Sequence, residues 1–250
     1  MPVSGGQGGN FRSGDIIFKP ARDDLETNWI AEFYLKVYQD GFRLPQPMCT
    51  QDGKFVHDGW QAWEYLEGKH IRGRWHEKIE TCLQFHKAIA GFQRPTYLDN
   101  RDQNPWVIAD KVSWGEIEIK HHPLISPSVE RLRNCLQEVS QQPQLIHGDF
   151  CGNILFSDYY PPAIIDFSPY WRPVEFAIGV IVADAIVWEG ADESLIDEGD
   201  NFENFLQYLA RAELRRIIEI ETIYWMYGWE MLEQIGAHLP LINAICQRIG

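Results

Sequence analysis

The residues best suited to do chemistry lie in one short stretch, His147-Gly148-Asp149-Phe150-Cys151-Gly152-Asn153. Asp166 follows thirteen residues after Asn153, in the run Ile164-Ile165-Asp166-Phe167. A carboxylate can orient or deprotonate a hydroxyl, and carboxylate and amide oxygens are hard ligands for a divalent cation. An Asp, an Asn a few residues on and a second Asp at the end of a following strand form the set that moving a phosphoryl group requires. The competing reading is a polar hairpin whose Asp and Asn merely cap turns. The ordered set is far more specific than any one of its members.

A second element comes earlier. Ser4-Gly5-Gly6-Gln7-Gly8-Gly9-Asn10 leads into Ile16-Ile17-Phe18-Lys19. Glycines such as Gly6 and Gly8 let backbone amides approach phosphates, and a lysine on the next strand can bridge two of them. Alone, the stretch reads as flexible chain followed by a surface lysine. Its place ahead of the Asp149 hairpin favours nucleotide binding.

These residues need elements to hold them. Asp15 to Lys19 reads as a strand, and Leu25 to Tyr38 as a helix with Leu25, Trp29, Phe33 and Val37 at helical spacing. Lys54 to Val56 and Trp60 to Leu66 read as strands joined at Asp58-Gly59. Gly68 to Gly73 is linker-like. Beyond it the patterns turn helical over Trp75 to Ala90, Ser128 to Gln141, Val174 to Trp188, Asn201 to Met231 and Leu239 to Ile249. Short apolar runs between Gln144 and Phe167 interrupt this region as a hairpin.

The chain resembles the aminoglycoside phosphotransferase and choline kinase-like family. Its members carry His-Gly-Asp-x-x-x-x-Asn-hydrophobic-Leu and then Ile-Asp-aromatic, matched here by His147 to Leu155 and Ile165 to Phe167. The glycine-rich N-terminus, Lys19 and the Trp63 to Gly68 stretch extend the resemblance to most of the chain. It implies an α+β, two-lobed protein-kinase-like fold. The small nucleotide-binding α/β lobe would be residues 1–67, and the mainly helical lobe residues 68–250, with the catalytic hairpin at 144–167. It implies Asp149 as catalytic base, Asn153 and Asp166 as magnesium ligands, and His147 as support of the loop. Lys19 would hold the phosphates of ATP, Glu32 would hold Lys19, with Glu26 the second choice, and Glu64 to Glu67 would be the hinge facing adenine.

One departure stands out. Only Phe150, Cys151 and Gly152 separate Asp149 from Asn153, where the family has four residues; the shortened loop resembles that of an actinobacterial-type branch. Gly152 is expected to absorb the deletion through its backbone freedom. The interval from the glycine loop to Lys19 is short too, so the small lobe is expected to be trimmed. The expected activity is transfer of phosphate from ATP to a hydroxyl of a small molecule. The alternative is a weak or inactive nucleotide-binding pseudokinase acting as sensor or scaffold. Protein kinase activity is disfavoured by His-Gly-Asp in place of His-Arg-Asp, and by the lack of an Asp-Phe-Gly with its activation segment.

Further residues concern the substrate. Tyr170, Trp171 and Arg172 follow Asp166 closely, and could stack on a ring or contact an anion, or form a rigid turn. Asp184 sits in an apolar helix and is expected to bond the hairpin backbone. The acidic run Glu189 to Glu203 reads mainly as a solvated loop, with a cationic substrate as the other possibility.

Composition fits this picture. A net charge of −14 and a pI near 4.9 exclude broad phosphate neutralisation of a nucleic acid. The five cysteines are spread without a Cys-x-x-Cys pair, as in a reducing compartment. The polar N-terminus lacks a signal-peptide core, and the strongest apolar stretch, Phe176 to Trp188, is too short to span a bilayer. A cytoplasmic protein with no membrane partner is expected.

Overall fold

The computed structural model describes residues 9–101 and 103–250. Gly6 and Gly8 therefore lie outside the described residues.

The small lobe is an antiparallel sheet of β1 (Phe11–Ser13), β2 (Ile16–Pro20), β3 (Pro47–Met48), β4 (Val56–His57) and β5 (Trp60–Glu64), with α1 (Asp24–Tyr34) after β2. The strand order is β1-β2-β5-β3, and β4 also pairs with β5. Asp58 and Gly59 both adopt positive φ, at 49° and 75°. That is the backbone of a tight two-residue hairpin whose twist matches its strands. Asp23 starts α1 by accepting from the amides of Leu25 and Glu26 at 2.7 and 3.1 Å. Lys19 pairs with Gln61 and Ile17 with Trp63 across β2 and β5, so Ile17 and Lys19 share one face of the sheet.

The larger lobe contains α2 (Trp75–Ile89), α3 (Pro105–Ser113), α4 (Ser126–Cys135), α5 (Val174–Trp188), α6 (Phe205–Tyr227) and α7 (Ile235–Ile249). Helix α5 is buried from Phe176 to Ala185, which is why its apolar residues show no single face. Gly179 lets α5 approach α6, because a Cβ there would meet Tyr208 and Leu209 backbone at 3.1 Å. Helix α3 was not expected, yet its start is written as Asn104-Pro105: the Asn104 side chain accepts from the Val107 amide at 3.0 Å. Helix α4 stops at Cys135 rather than Gln141. Side chains of α6 take over the backbone there: Gln207 donates to the Cys135 carbonyl and accepts from the Gln137 amide, and Arg211 donates to the Gln137 carbonyl.

Between α4 and α5 lie two short ribbons. Strand β6 (Gln144–His147) pairs antiparallel with β9 (Pro169–Arg172), and β7 (Ile154–Leu155) with β8 (Ala163–Ile164). The aromatic segment after Asp166 is thus a strand rather than a turn. The connector joins this hairpin through paired hydrogen bonds of 2.9 Å between the backbones of Lys69 and Phe156. Gly68 is required there: its φ is +155°, and a Cβ would lie 2.8 Å from that of Leu155. Phe167 stacks on Phe33 of α1, with ring centroids 5.0 Å apart, and so ties the end of the hairpin to the small lobe.

Candidate active site

The residues of the 147–153 loop are held from behind by a buried polar frame. His147 ends β6 fully buried, with its ring edge-on to Phe150 and Phe167. Its Nδ1 accepts from the Asp149 amide at 3.2 Å, and its Nε2 faces the Ile165 carbonyl at 3.2 Å. Burial pushes its basicity down to about pKa 4, so at neutral pH the ring is uncharged, donating through Nε2 and accepting through Nδ1. This neutral ring pins the start of the loop to the residue before Asp166. Gly148 must be glycine: a Cβ there would lie 2.3 Å from the Tyr170 ring and 3.1 Å from Arg215.

The shortened loop closes as an ordinary turn. The Asn153 amide donates to the Phe150 carbonyl at 3.0 Å. Gly152, expected to absorb the deletion, has no left-handed backbone, and a Cβ at its position would meet nothing within 4 Å. That expectation is corrected: the turn needs no special angle from Gly152. The unusual backbone lies instead at Asp166, whose φ is 50°.

Asn153 lies against Asp149. Asn153 Nδ2 donates to the Asp149 carbonyl at 2.7 Å and to its carboxylate at 3.2 Å. With its nitrogen so engaged, its Oδ1 is the atom left for a cation. The Asp149 side chain is 42% exposed, opening to the cleft. Burial of the remainder opposes its ionisation, but the guanidinium groups of Arg216 and Arg215 outweigh that and hold its carboxyl below the usual carboxylate value. It is an ionised acceptor at neutral pH.

Lys19 reaches down from β2 and forms an ion pair with the Asp166 carboxylate. Glu32 does not join it. That side chain is 61% exposed and pairs with Lys36 at 3.6 Å. The cause is helix phase: Thr27, Ala31 and Tyr34 form the buried face of α1, and Glu32 projects from the opposite one. Glu26, the second choice, lines the same cavity as Lys19 but pairs with Arg101 at 2.8 Å, linking α1 to the Pro169 carbonyl. The proposed hinge also uses some of its backbone internally: the Tyr65 amide donates to Asp15, and the Glu67 carbonyl accepts from Arg43.

Sequence reasoning missed the two arginines of α6. Arg215 is buried, donates to the Gly148 carbonyl at 2.7 Å and lies over the Tyr170 ring. Arg216 bonds Asp149 at 2.7 Å, Asp184 at 2.6 and 2.8 Å, and Glu219 at 2.9 Å. Asp184 therefore finds a side chain rather than the hairpin backbone as its partner, and burial raises its carboxyl to about pKa 6 despite that partner. The signal was available: Arg215-Arg216 interrupts the apolar face of a long helix, where unpaired charge is costly. Arg172 is engaged by carboxylates of the protein itself: it pairs with Asp110 at 2.6 Å and Glu116 at 2.7 Å, packed on Trp114. Glu189, at the start of the acidic run, is not a solvated residue either. It accepts from buried Lys78 at 2.5 Å and from Trp75 at 2.9 Å.

Two cavities open at Asp149. One, of about 550 Å³, is also lined by Lys19, Asn153, Asp166, Arg22 and Arg215. The other, of about 420 Å³, lies on the helical side against α5, α6 and α7. Asp166 and Asn153 at the first cavity suit magnesium, which takes one or two protein oxygens and completes its shell with phosphates and water. Lys19 beside them suits phosphate oxygens.

The chain belongs to the phosphotransferase enzyme family, which matches residues 10–170. Its fold is that of the two-lobed enzymes of this family. Spectinomycin phosphotransferase APH(9)-Ia, solved with ADP and spectinomycin, superposes with a TM-score of 0.59 at 15% identity, covering 98% of this chain and 91% of that one. A thermostable mutant of aminoglycoside phosphotransferase APH(4)-Ia gives 0.61 at 12% identity, with 99% and 94% covered. Choline kinase LicA from Streptococcus pneumoniae gives 0.61 at 11% identity, with 98% and 92% covered. No curated protein matches the sequence. Among the described residues, no helix is long and apolar enough to cross a membrane.

Proposed function

We propose that the protein transfers the γ-phosphate of ATP to a hydroxyl of a small molecule. The observation that carries this reading is the convergence of Lys19, Asp149, Asn153 and Asp166 on one cavity between the lobes. Asp166 and Asn153 would hold magnesium, which when bound neutralises the charge of the phosphates. Lys19 exchanges its Asp166 partner for phosphate oxygens. Asp149, ionised and open to the cleft, accepts a hydrogen bond from the acceptor hydroxyl and takes its proton as the hydroxyl oxygen attacks the γ-phosphorus, while the bond from that phosphorus to the β–γ bridging oxygen breaks and ADP leaves. Arg216 and Asn153 fix the Asp149 carboxylate in place, so its orientation is set before substrate arrives.

The test is transfer of labelled γ-phosphate into small-molecule extracts and an alcohol library, compared between wild type and Asp149→Asn. Loss of a general base lowers turnover roughly 10²–10⁴-fold, with ATP affinity kept. Equal labelling by the variant contradicts the role of Asp149. No labelling by either protein, with ATP binding intact, favours the nucleotide-binding sensor.

A further inference from the structure

The second cavity carries information about the acceptor. It meets the first at Asp149 and extends away from Lys19 and Asp166, so donor and acceptor can approach Asp149 from different sides. Four carboxylates line it, those of Asp149, Asp184, Glu189 and Glu219. At first sight that suits a polycation. Each carboxylate, however, already has a cation from the protein: Arg216 for Asp149, Asp184 and Glu219, Arg215 also for Glu219, and Lys78 for Glu189. Within the acidic run beyond Glu189, Asp197 pairs with Arg248 and Glu198 with His76, and Asp192 caps its own turn. A polycationic ligand would have to displace the ion pairs of Arg216, Arg215 and Lys78, whose cationic side chains are 12% exposed or less.

The rest of the wall is mainly apolar, with Trp188, Ile220, Ile223 and Met231 beside Cys151 and the single amide Gln234. One polar atom there has neither a hydrogen-bond nor an ion-pair partner among the described residues. His238 is 1% exposed and lines the cavity, with its Nδ1 held by Glu213 at 2.7 Å and its ring edge-on to Trp188. Its Nε2, at the other end of the ring, is buried without a hydrogen-bond partner among the described residues. Such an atom costs stability unless a ligand completes it.

We propose that this cavity is the acceptor site, and that its ligand is an uncharged alcohol with an apolar body and a second polar group, rather than a polycation. The reactive hydroxyl meets Asp149, the body packs on Trp188, Ile220, Ile223 and Met231, and the second polar group bonds His238 Nε2. The assignment rests on the phosphotransferase reading for the role of Asp149, but the cavity's ligand preference does not.

Binding is measured without ATP, by ligand-observed NMR, with phenyl β-D-glucoside and hexyl β-D-glucoside as neutral probes and kanamycin as the polycation, at near-physiological salt. The expected result is binding of at least one glucoside tenfold or more tighter than kanamycin. Ile223→Trp, which fills the cavity, is expected to weaken it at least tenfold, and His238→Phe several-fold. Met231→Trp, at the less buried rim, serves as a second filling variant if Ile223→Trp does not fold. Kanamycin binding as tightly as the glucosides, no binding of either glucoside, or glucoside binding unchanged by the filling variants overturns the proposal. MgATP binding by the same samples reports on the other cavity, so failure of this assignment is distinguishable from failure of the phosphotransferase reading.

Discussion

Replacing Arg216 by Met tests whether the network behind Asp149 is held by one residue. In wild type, Arg216 is the partner of three carboxylates. Asp149 opens to the cleft and can be hydrated, and Glu219 keeps Arg215 at 2.8 Å. Asp184, with an 11% exposed side chain, has no other cation partner among the described residues. Removing one partner of a buried ion pair costs about 3–5 kcal/mol. For a chain of this size that corresponds to roughly 6–20 °C in Tm. The pH dependence has a definite sign. A carboxyl raised above its unfolded value binds more protons folded than unfolded, so stability falls as pH rises between the two values. For Asp184 in wild type that window runs from the ordinary aspartate value of 3.8 to about 6. Without Arg216 its upper edge moves higher, so the variant loses most at pH 8 and recovers part of the loss at pH 6. Urea unfolding at both pH values measures this. Adding Asp184→Leu to Arg216→Met should restore most of the stability, because no buried charge is then left unpaired. Equal losses at pH 6 and pH 8, with no rescue by the double variant, would refute the reasoning.

Gly148→Ala drives a methyl into the Tyr170 ring and Arg215; overpacking of this kind costs about 1–3 kcal/mol, read as a lower urea midpoint. Burial lowers His86 to about pKa 3 and His147 to about pKa 4. Both rings take up protons more readily unfolded than folded, so their contribution is full above the unfolded value near 6.5 and is lost as pH falls toward 4. With two such histidines opposing Asp184, the urea midpoint should drop between pH 7 and pH 4.5, and a flat profile would contradict their neutral, buried state.

The legible part of this molecule is the part whose signal is local in sequence. The run from His147 to Asn153 and Asp166 reads as one hairpin because its members are neighbours along the chain, and the structure places them together. Glu32 failed because spacing along a helix fixes a face only once the buried face is known, and Thr27, Ala31 and Tyr34 put that face opposite Glu32. Arg215 and Arg216 contact Gly148 and Asp149 across 67 residues of sequence, a pairing no local pattern encodes. The early stop of α4 has the same origin, since Gln207 and Arg211 reach its end from a distant helix. The start of α3, by contrast, is written locally in Asn104-Pro105.

The central claim is that Lys19, Asn153 and Asp166 form a magnesium-dependent nucleotide site beside Asp149. Calorimetric titration with ATP, with magnesium and with EDTA, on wild type and Asp166→Ala tests it most directly. The account predicts one-to-one binding that requires magnesium and is weakened at least tenfold in the variant. No binding by the wild type, or binding indifferent to magnesium and to Asp166, would contradict it.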